Sequence, residues 1–412
     1  MCIRDRYCDL HSVQRGKAEF HLDNSEIKQW FILIGLLLGV TVTNGFARFA
    51  YGLLLPAMQA EMGWNYSEAG WLSTINAFGY ILGAILTMVM VRNISSQKLF
   101  AFGLLTTSAV LTLTGLFADI AMQYLLRFLA GIFGAISFST AGALASGLFK
   151  ENPKRNALSI AILFGTGGGL GIVLAALVIP LLLDFRGNSA WPLCWLVIGL
   201  ASILFCPFGL WAARNLHVTT TAVTTKQRLP FSKMLPEFIG YASFGVGYIV
   251  YLTFLSAWMV SQSMSALSMA LIWVLLGVCI CLSPFVWKPV FAKFDNGVPL
   301  SVILTCIAIG SSIPMVSSGL GGLIVSAAIF GISVFMAPGA ITNFTRKNLP
   351  ERLWAFSISL FTVVFAIAQT VGPYLAGVVG DIFDNVGVGL LLASFILLFG
   401  AVISLLQKRL DE

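Results

Sequence analysis

The sequence predicts an all-α membrane protein: twelve transmembrane helices arranged as two pseudo-symmetric six-helix bundles. Three observations predict it. The first is composition. Of 412 residues, 58% are hydrophobic and only 10% are charged, with a mean hydropathy of +0.92, whereas an ordinary soluble domain carries about 25% charged residues. No aqueous core hides that much apolar sequence, so the solvent for most of the chain is lipid. The second is length. The apolar residues fall into twelve runs of about the 20 residues that a membrane helix needs. The third is charge. Lys and Arg crowd the loops on one side, with 21 of the 24 in the tail, after the even-numbered helices and at the C-terminus, and Arg186 alone in the opposite loops. By the positive-inside rule both chain ends are then cytoplasmic, and a miscounted helix would scramble this alternation.

Taken in order, residues 1–29 form a cytoplasmic N-terminal tail. Its opening, MCIRDRYCDLHSVQRG, has no apolar periodicity and reads as disordered, or as a mis-assigned start. The first apolar run begins only at Trp30 and is too long for an h-region, so no cleavable signal peptide is expected. Helices 1 to 6 are expected over 30–57, 67–91, 99–118, 120–149, 158–183 and 190–213, making an N-terminal bundle from 30 to 213. A polar stretch without an acid, RNLHVTTTAVTTKQRLPFSKMLP, places a cytoplasmic linker at 214–235. Helices 7 to 12 follow over 236–260, 267–290, 297–316, 319–345, 354–379 and 387–407, a C-terminal bundle from 236 to 407, with a cytoplasmic end at 408–412.

The two halves resemble each other. GFARFAYGLLLPAM (45–58) and GVGYIVYLTFLSAWM (245–259) share Gly, Tyr, Leu and Ala at an offset of 200. PKRNALS (153–159) after helix 4 and PERLWAFS (350–357) after helix 10 both read Pro-x-Arg, then Ala-x-Ser. Matches at near-constant offset and at equivalent helix positions argue for a duplicated six-helix unit, with the parallel repeats related by an axis along the membrane normal.

Two residues stand out inside these runs. Arg48 in helix 1 and Arg127 in helix 4 each lie in an otherwise apolar segment, where a charge costs about 2.5–3.5 kcal/mol on insertion scales. A buried Arg suggests a polar interior, and a polar interior suggests a path for something polar. Arg48 lies nine residues before Ala57, and Arg127 seven after Ile120, which puts both roughly 10–14 Å below the outer end at about 1.5 Å per residue. At that depth they can face one cavity. The competing reading of Arg127 is structural or coupling work.

Helical spacing places Thr41, Asn44, Arg48 and Tyr51 on one face of helix 1, and Ser73, Asn76, Tyr80 and Gly83 on one face of helix 2. Tyr241, Tyr248 and Tyr251 in helix 7, and Thr362, Phe365 and Gln369 in helix 11, repeat the pattern. Such faces suit a central cavity between the halves, and they equally suit hydrogen bonds between helices. The expected binding residues are Asn44, Arg48, Tyr51, Asn76, Tyr80, Arg127, Tyr248, Tyr251 and Gln369. No Asp or Glu is read as lying deep in a helix, because Glu61, Glu68, Asp119, Asp184, Asp381 and Asp384 fall at outer ends or loops. A cationic interior without a fixed counter-ion favours an anion, since a guanidinium grips carboxylate or phosphate with two parallel bonds.

Other chemistries are excluded or weak. Cys194, Cys206, Cys279, Cys281 and Cys306 lie in apolar runs, where cysteine acts as a small hydrophobe, and Cys2 and Cys8 lie in the tail. No Cys/His spacing implies a metal, and His11, His21 and His217 all sit in tails or loops. The glycines of GTGGGLG (165–171) lack the Lys-Ser/Thr ending of a phosphate loop and read as close helix packing. Gly131, Gly134, Gly372 and Pro373 read likewise, and a Gly-Pro pair also supplies a hinge. No catalytic residue, cofactor or nucleic-acid partner is expected.

RFLAGIFGA (127–135) resembles the Arg-x-x-x-Gly motif of the major facilitator superfamily. GTGGGLG is similar to its helix-5 glycine motif, without the usual Gly-Pro, and AQTVGPYLAG (368–377) carries a Gly-Pro at the equivalent place in the second half. The loop VRNISSQK (91–98) keeps the basic residues of the superfamily's pattern between helices 2 and 3 but has no Asp. GFARFAYGLLLPAM followed by AGWLSTINAFGYILGAIL is similar to a poorly characterised bacterial permease branch. The resemblance covers about residues 30–407 and implies transport of no particular substrate. The expectation is a monomeric secondary transporter in the bacterial inner membrane. It moves a small solute, an organic anion being favoured, by alternating access, with or without a coupling ion. The alternatives are an exporter of amphiphilic, drug-like compounds and, more remotely, a membrane sensor without transport.

Overall fold

A chain in lipid has no water to satisfy its backbone N–H and C=O groups, so each apolar run must close its own hydrogen bonds as a helix. The computed structural model describes residues 24–216 and 229–410, and the described residues follow that rule. The tail up to residue 23 and most of the expected linker lie outside them.

The membrane helices are α1 (Glu26–Met62), α2 (Tyr66–Met90), α3 (Ser96–Thr114), α4 (Ile120–Ala145), α5 (Pro153–Arg186) and α6 (Trp191–Arg214) in the first half. The second half has α7 (Leu235–Ser261), α8 (Ala266–Lys293), α9 (Val298–Val316), α10 (Leu320–Asn348), α11 (Glu351–Ile382) and α12 (Val386–Leu405). Among the described residues, eleven helices meet the length and apolarity of a membrane span, and α3, of 19 residues, is the more polar twelfth. Helicity starts at Asn24, before Trp30, and Glu26 of that first turn pairs with Arg155 at the start of α5. Several helix starts are set by side chains that accept the free N–H groups of a first turn. Asn65 and Glu68 form a reciprocal capping box on α2, and Asp119, Asn152 and Ser265 cap α4, α5 and α8.

Large apolar side chains remain exposed at helical spacing, as Leu200, Leu204 and Phe208 do on α6 and Phe395, Phe399 and Val402 on α12. In water these stripes would be a severe liability, and against acyl chains they are the expected surface. Hydrogen bonds at the end that carries the chain termini stay within a bundle among the described residues. Gln97 donates to the Leu216 carbonyl in one half, while Asn348 and Arg409 hold Asp295 in the other.

Bonds between bundles cluster at mid-depth and toward the opposite, far end. The Asp381 carboxylate of α11 accepts from the backbone N–H of Tyr66 (2.7 Å) and of Ser67 (2.9 Å) at the start of α2. The Ser73 and Thr253 hydroxyls bond at 3.1 Å, and the Thr74 hydroxyl donates to the Thr370 carbonyl at 2.9 Å. Backbones touch there too. A Cβ on Gly52 would meet the Leu252 carbonyl oxygen at 1.9 Å, and one on Gly169 would meet that of Gly277 at 2.6 Å. The helix-5 glycines therefore pack helices, as the sequence suggests.

Candidate functional site

The site begins with a break in regularity. Thr41–Phe49, the middle of α1, is a π-helix rather than an α-helix, and the Ala50 N–H bonds the Gly45 carbonyl, five residues back. It packs closely against α5. A Cβ on Gly45 would lie 2.6 Å from the Gly171 Cα, and the Thr41 hydroxyl donates both to Leu37 (3.1 Å) and to the Gly167 carbonyl (3.0 Å). Each π turn takes an extra residue, which rotates everything beyond it, and such segments recur at functional positions.

The rotation overturns the single polar face expected on α1. Thr41 faces α5. Asn44 is 7% exposed, and its Nδ2 would lie 3.3 Å from a Cβ on Gly168, a position that a Cβ would also crowd against Phe335. Arg48 points to the second bundle. Its Nη2 donates to the Tyr248 hydroxyl at 2.6 Å and to Gln369 Oε1, and the Tyr248 hydroxyl donates to the same Oε1 at 3.1 Å. The Tyr80 ring lies 4.9 Å from the Arg48 guanidinium carbon. Tyr51 turns away, and its hydroxyl donates to the Ala69 carbonyl at 2.7 Å.

Arg48 and Tyr248 are 200 residues apart, the offset that separates the two repeats. So are Gly52 and Leu252. A residue and its own repeat equivalent touch only near the axis relating the two halves. Arg48 is therefore central, at the seam between bundles. It is half-buried, whereas Gln369 is fully buried with its Nε2 unpartnered.

The two arginines do not share a cavity, contrary to the depth argument. Arg127 is 1% exposed inside the first bundle. Its Nη1 donates to the Ala47 carbonyl at 2.8 Å, its guanidinium carbon lies 4.8 Å from the Tyr51 ring and 5.7 Å from the Trp195 ring, and its Nε and Nη2 have no partner. Asn76 belongs to this group, donating to the Arg127 carbonyl at 2.9 Å. Tyr251 is held within the second bundle by Ser326, at 2.7 Å, and stacks on Phe330. Of the nine residues expected to bind, the structure brings Arg48, Tyr80, Tyr248 and Gln369 into one cluster, with Asn44 beside it on α1. Tyr51, Asn76, Arg127 and Tyr251 serve contacts inside one bundle or the other.

Aromatic rings extend from Arg48 toward the terminal end in two walls. On the first bundle Tyr80 meets Phe138, and Phe138 meets Phe164. On the second, Tyr248 meets Phe244 and Phe365, with Tyr241 beyond. Among the described residues no ring pair joins the two walls. The one bridge nearby is Phe49 on Phe335, with centroids 5.4 Å apart, where α10 breaks between Val334 and Ala337.

No Asp or Glu lies deep along a described helix, but one carboxylate that the sequence reading did not name is buried at a helix end. Glu237, in the first turn of α7, is 1% exposed, and both its oxygens lack partners. The signal was present as a lone acid before an apolar run, LPEFIG. It lies eleven residues before Tyr248 on the same helix, about 16 Å away at 1.5 Å per residue, and so leaves Arg48 without an acidic partner.

No curated protein matches this chain. Solved structures do. A bacterial homologue of the human lysosomal transporter Spinster, in an inward-facing and unoccupied conformation, aligns with a TM-score of 0.69 at 14% identity, covering 92% of this chain and 96% of that one. The nucleoside transporter NupG aligns with a TM-score of 0.65 at 12% identity, covering 92% of this chain and all of that one (100%). At such identities the likeness establishes the fold. The sequence profile of the family described as "Uncharacterised MFS-type transporter YbfB" matches residues 40–405. That match spans nearly the whole membrane-spanning part, so the chain belongs to this family and is a multi-pass MFS transporter rather than an enzyme.

Proposed function

We propose that this protein is a secondary active transporter of a small organic anion, working by alternating access around Arg48. One observation carries the substrate class. A half-buried guanidinium stands on the axis between the bundles, and its hydrogen-bond partners are neutral, Tyr248 and Gln369. A cation held there without a carboxylate is left for the cargo to neutralise. Uptake or efflux in sealed vesicles, measured with matched charged and neutral solutes, tests it. Transport of neutral solutes in preference to anions would reject it. The aromatic walls favour a second reading, an exporter of amphiphilic compounds, and the same assay separates the two.

The contact pattern supports alternating access. Among the described residues the hydrogen bonds between bundles lie at mid-depth and at the far end, an arrangement that suits opening toward the termini. Asp381 fastens the far end, since its carboxylate accepts two N–H groups of a helix N-terminus in the other bundle. Asp381→Ala should release about 1–3 kcal/mol of that closure. A cysteine at Thr253, which is 2% exposed, should then react with an impermeant maleimide roughly fivefold faster or more. Unchanged labelling would remove Asp381 as a latch.

Both termini and the 214–235 linker are proposed to be cytoplasmic in a bacterial inner membrane, on the asymmetry of Lys and Arg. Reporters fused at Asn188 and at Thr221 should lie on opposite sides of the membrane. The same side for both would contradict the topology.

A further inference from the structure

We infer that the Arg48 site takes a monocarboxylate with a flat, apolar body. This rests on the anion reading above and narrows it.

The charge comes from a count that only the structure permits. Two arginines lie inside apolar segments, and one of them reaches the seam. Arg127 is sealed in the first bundle, with its guanidinium against the Ala47 carbonyl, Tyr51 and Trp195. The site therefore offers a single guanidinium for direct contact, with Arg127 within coulombic reach of it but enclosed. A dicarboxylate or a phosphate dianion would bring a second negative charge into the seam with no second cation, among the described residues, open to direct contact. The desolvation of an unpaired charge is the largest penalty such a site imposes. Glu237, buried on α7 at the terminal end of the same helix as Tyr248, adds negative rather than positive potential when ionised.

The head group comes from the partners. Gln369 Oε1 and the Tyr248 hydroxyl lie side by side on Arg48 Nη2, 3.1 Å apart, as two neutral oxygens in front of a guanidinium. They stand where the oxygens of a carboxylate would be received. When a carboxylate takes the guanidinium, the Tyr248 hydroxyl is freed to donate to it. The Gln369 amide, whose Nε2 is fully buried without a partner, becomes a second neutral donor. Arg48, Tyr248 and Gln369 then receive one carboxylate from three directions.

The body comes from the walls. The face of Tyr80 lies 4.9 Å from the guanidinium carbon. Half-buried Phe138, Phe164 and Phe365 continue from there toward the terminal end on either side of the seam. Paired ring faces receive a flat apolar body and offer few partners to a polyhydroxylated one.

The test is binding to the purified full-length protein, followed by intrinsic tryptophan fluorescence and by thermal shift. The probes are 2-naphthoate, benzoate, acetate, phthalate, inorganic phosphate and benzamide. Naphthoate and benzoate should bind, with acetate weaker by roughly tenfold or more because it buries no ring. Phthalate and phosphate should be weaker than benzoate by a similar factor, and benzamide should not bind. Tyr80→Leu should weaken benzoate more than acetate. Phthalate or phosphate binding as tightly as benzoate overturns the single-charge inference and leaves the anion reading standing. Acetate matching benzoate overturns the flat body. Benzamide matching benzoate overturns the anion reading itself. Failure of every monocarboxylate to saturate the protein at tens of millimolar overturns the inference outright.

Discussion

Gln369→Glu should abolish anion binding while leaving the protein folded. Gln369 Oε1 already touches the Arg48 guanidinium. A carboxylate in its place becomes a permanent internal anion at the position proposed for the substrate's head group. In a buried setting a charged, fork-matched partner bonds about twice as strongly as a neutral one. It also acts at zero concentration cost, since it is tethered. A loss of roughly 100-fold or more in anion affinity is expected, which corresponds to about 3 kcal/mol. The melting temperature should hold or rise, because Arg48 gains the counter-charge that it lacks. Affinity within about threefold of the parent would mean that Gln369 does not stand in the substrate's place. A variant that fails to express would instead mark Gln369 as a packing residue.

The second large effect separates the two arginines. Arg48→Lys keeps the charge and loses the planar fork, so anion affinity should fall roughly 10- to 100-fold while folded yield is kept. Arg127→Gln should do the reverse. It removes the bond to the Ala47 carbonyl and the contacts with Tyr51 and Trp195, at a cost of about 2–4 kcal/mol of stability. Size-exclusion profiles in detergent, read beside binding curves, give both quantities for each variant. Loss of yield for Arg48→Lys with unchanged affinity in the surviving protein would make Arg48 structural, and the anion preference would go with it.

The contrast between these residues shows where sequence reading stops. Both arginines were legible as misplaced charges, and their similar depth follows from helical rise alone. Depth is a one-dimensional quantity fixed by counting residues. Direction around the helix is not, because it depends on how many residues each turn takes. In α1 that number changes over Thr41–Phe49, where Gly45 lies against Gly171, 126 residues away in the chain. The spacing that joined Arg48 to Tyr51 was sound for an α-helix and failed for a π-helix. Glu237 was missed for a different reason. An acid at the edge of an apolar run looks solvated until its neighbours close over it.

By itself the sequence determined the helices, their alternation across the bilayer and the duplication, because each is local. A run of apolar residues must satisfy its own backbone in lipid wherever it sits, and a repeat is visible as a constant offset. The same offset separates Arg48 from Tyr248, which only the structure shows in contact. The tertiary structure alone decided which charge reaches the seam. It set Gln369, 321 residues away, against Arg48, and it buried Arg127 behind α1. The physical reason is that a side chain's partner is set by the packing of backbones that no local pattern encodes. In this protein that packing turns one arginine toward the second bundle and leaves the other enclosed in the first.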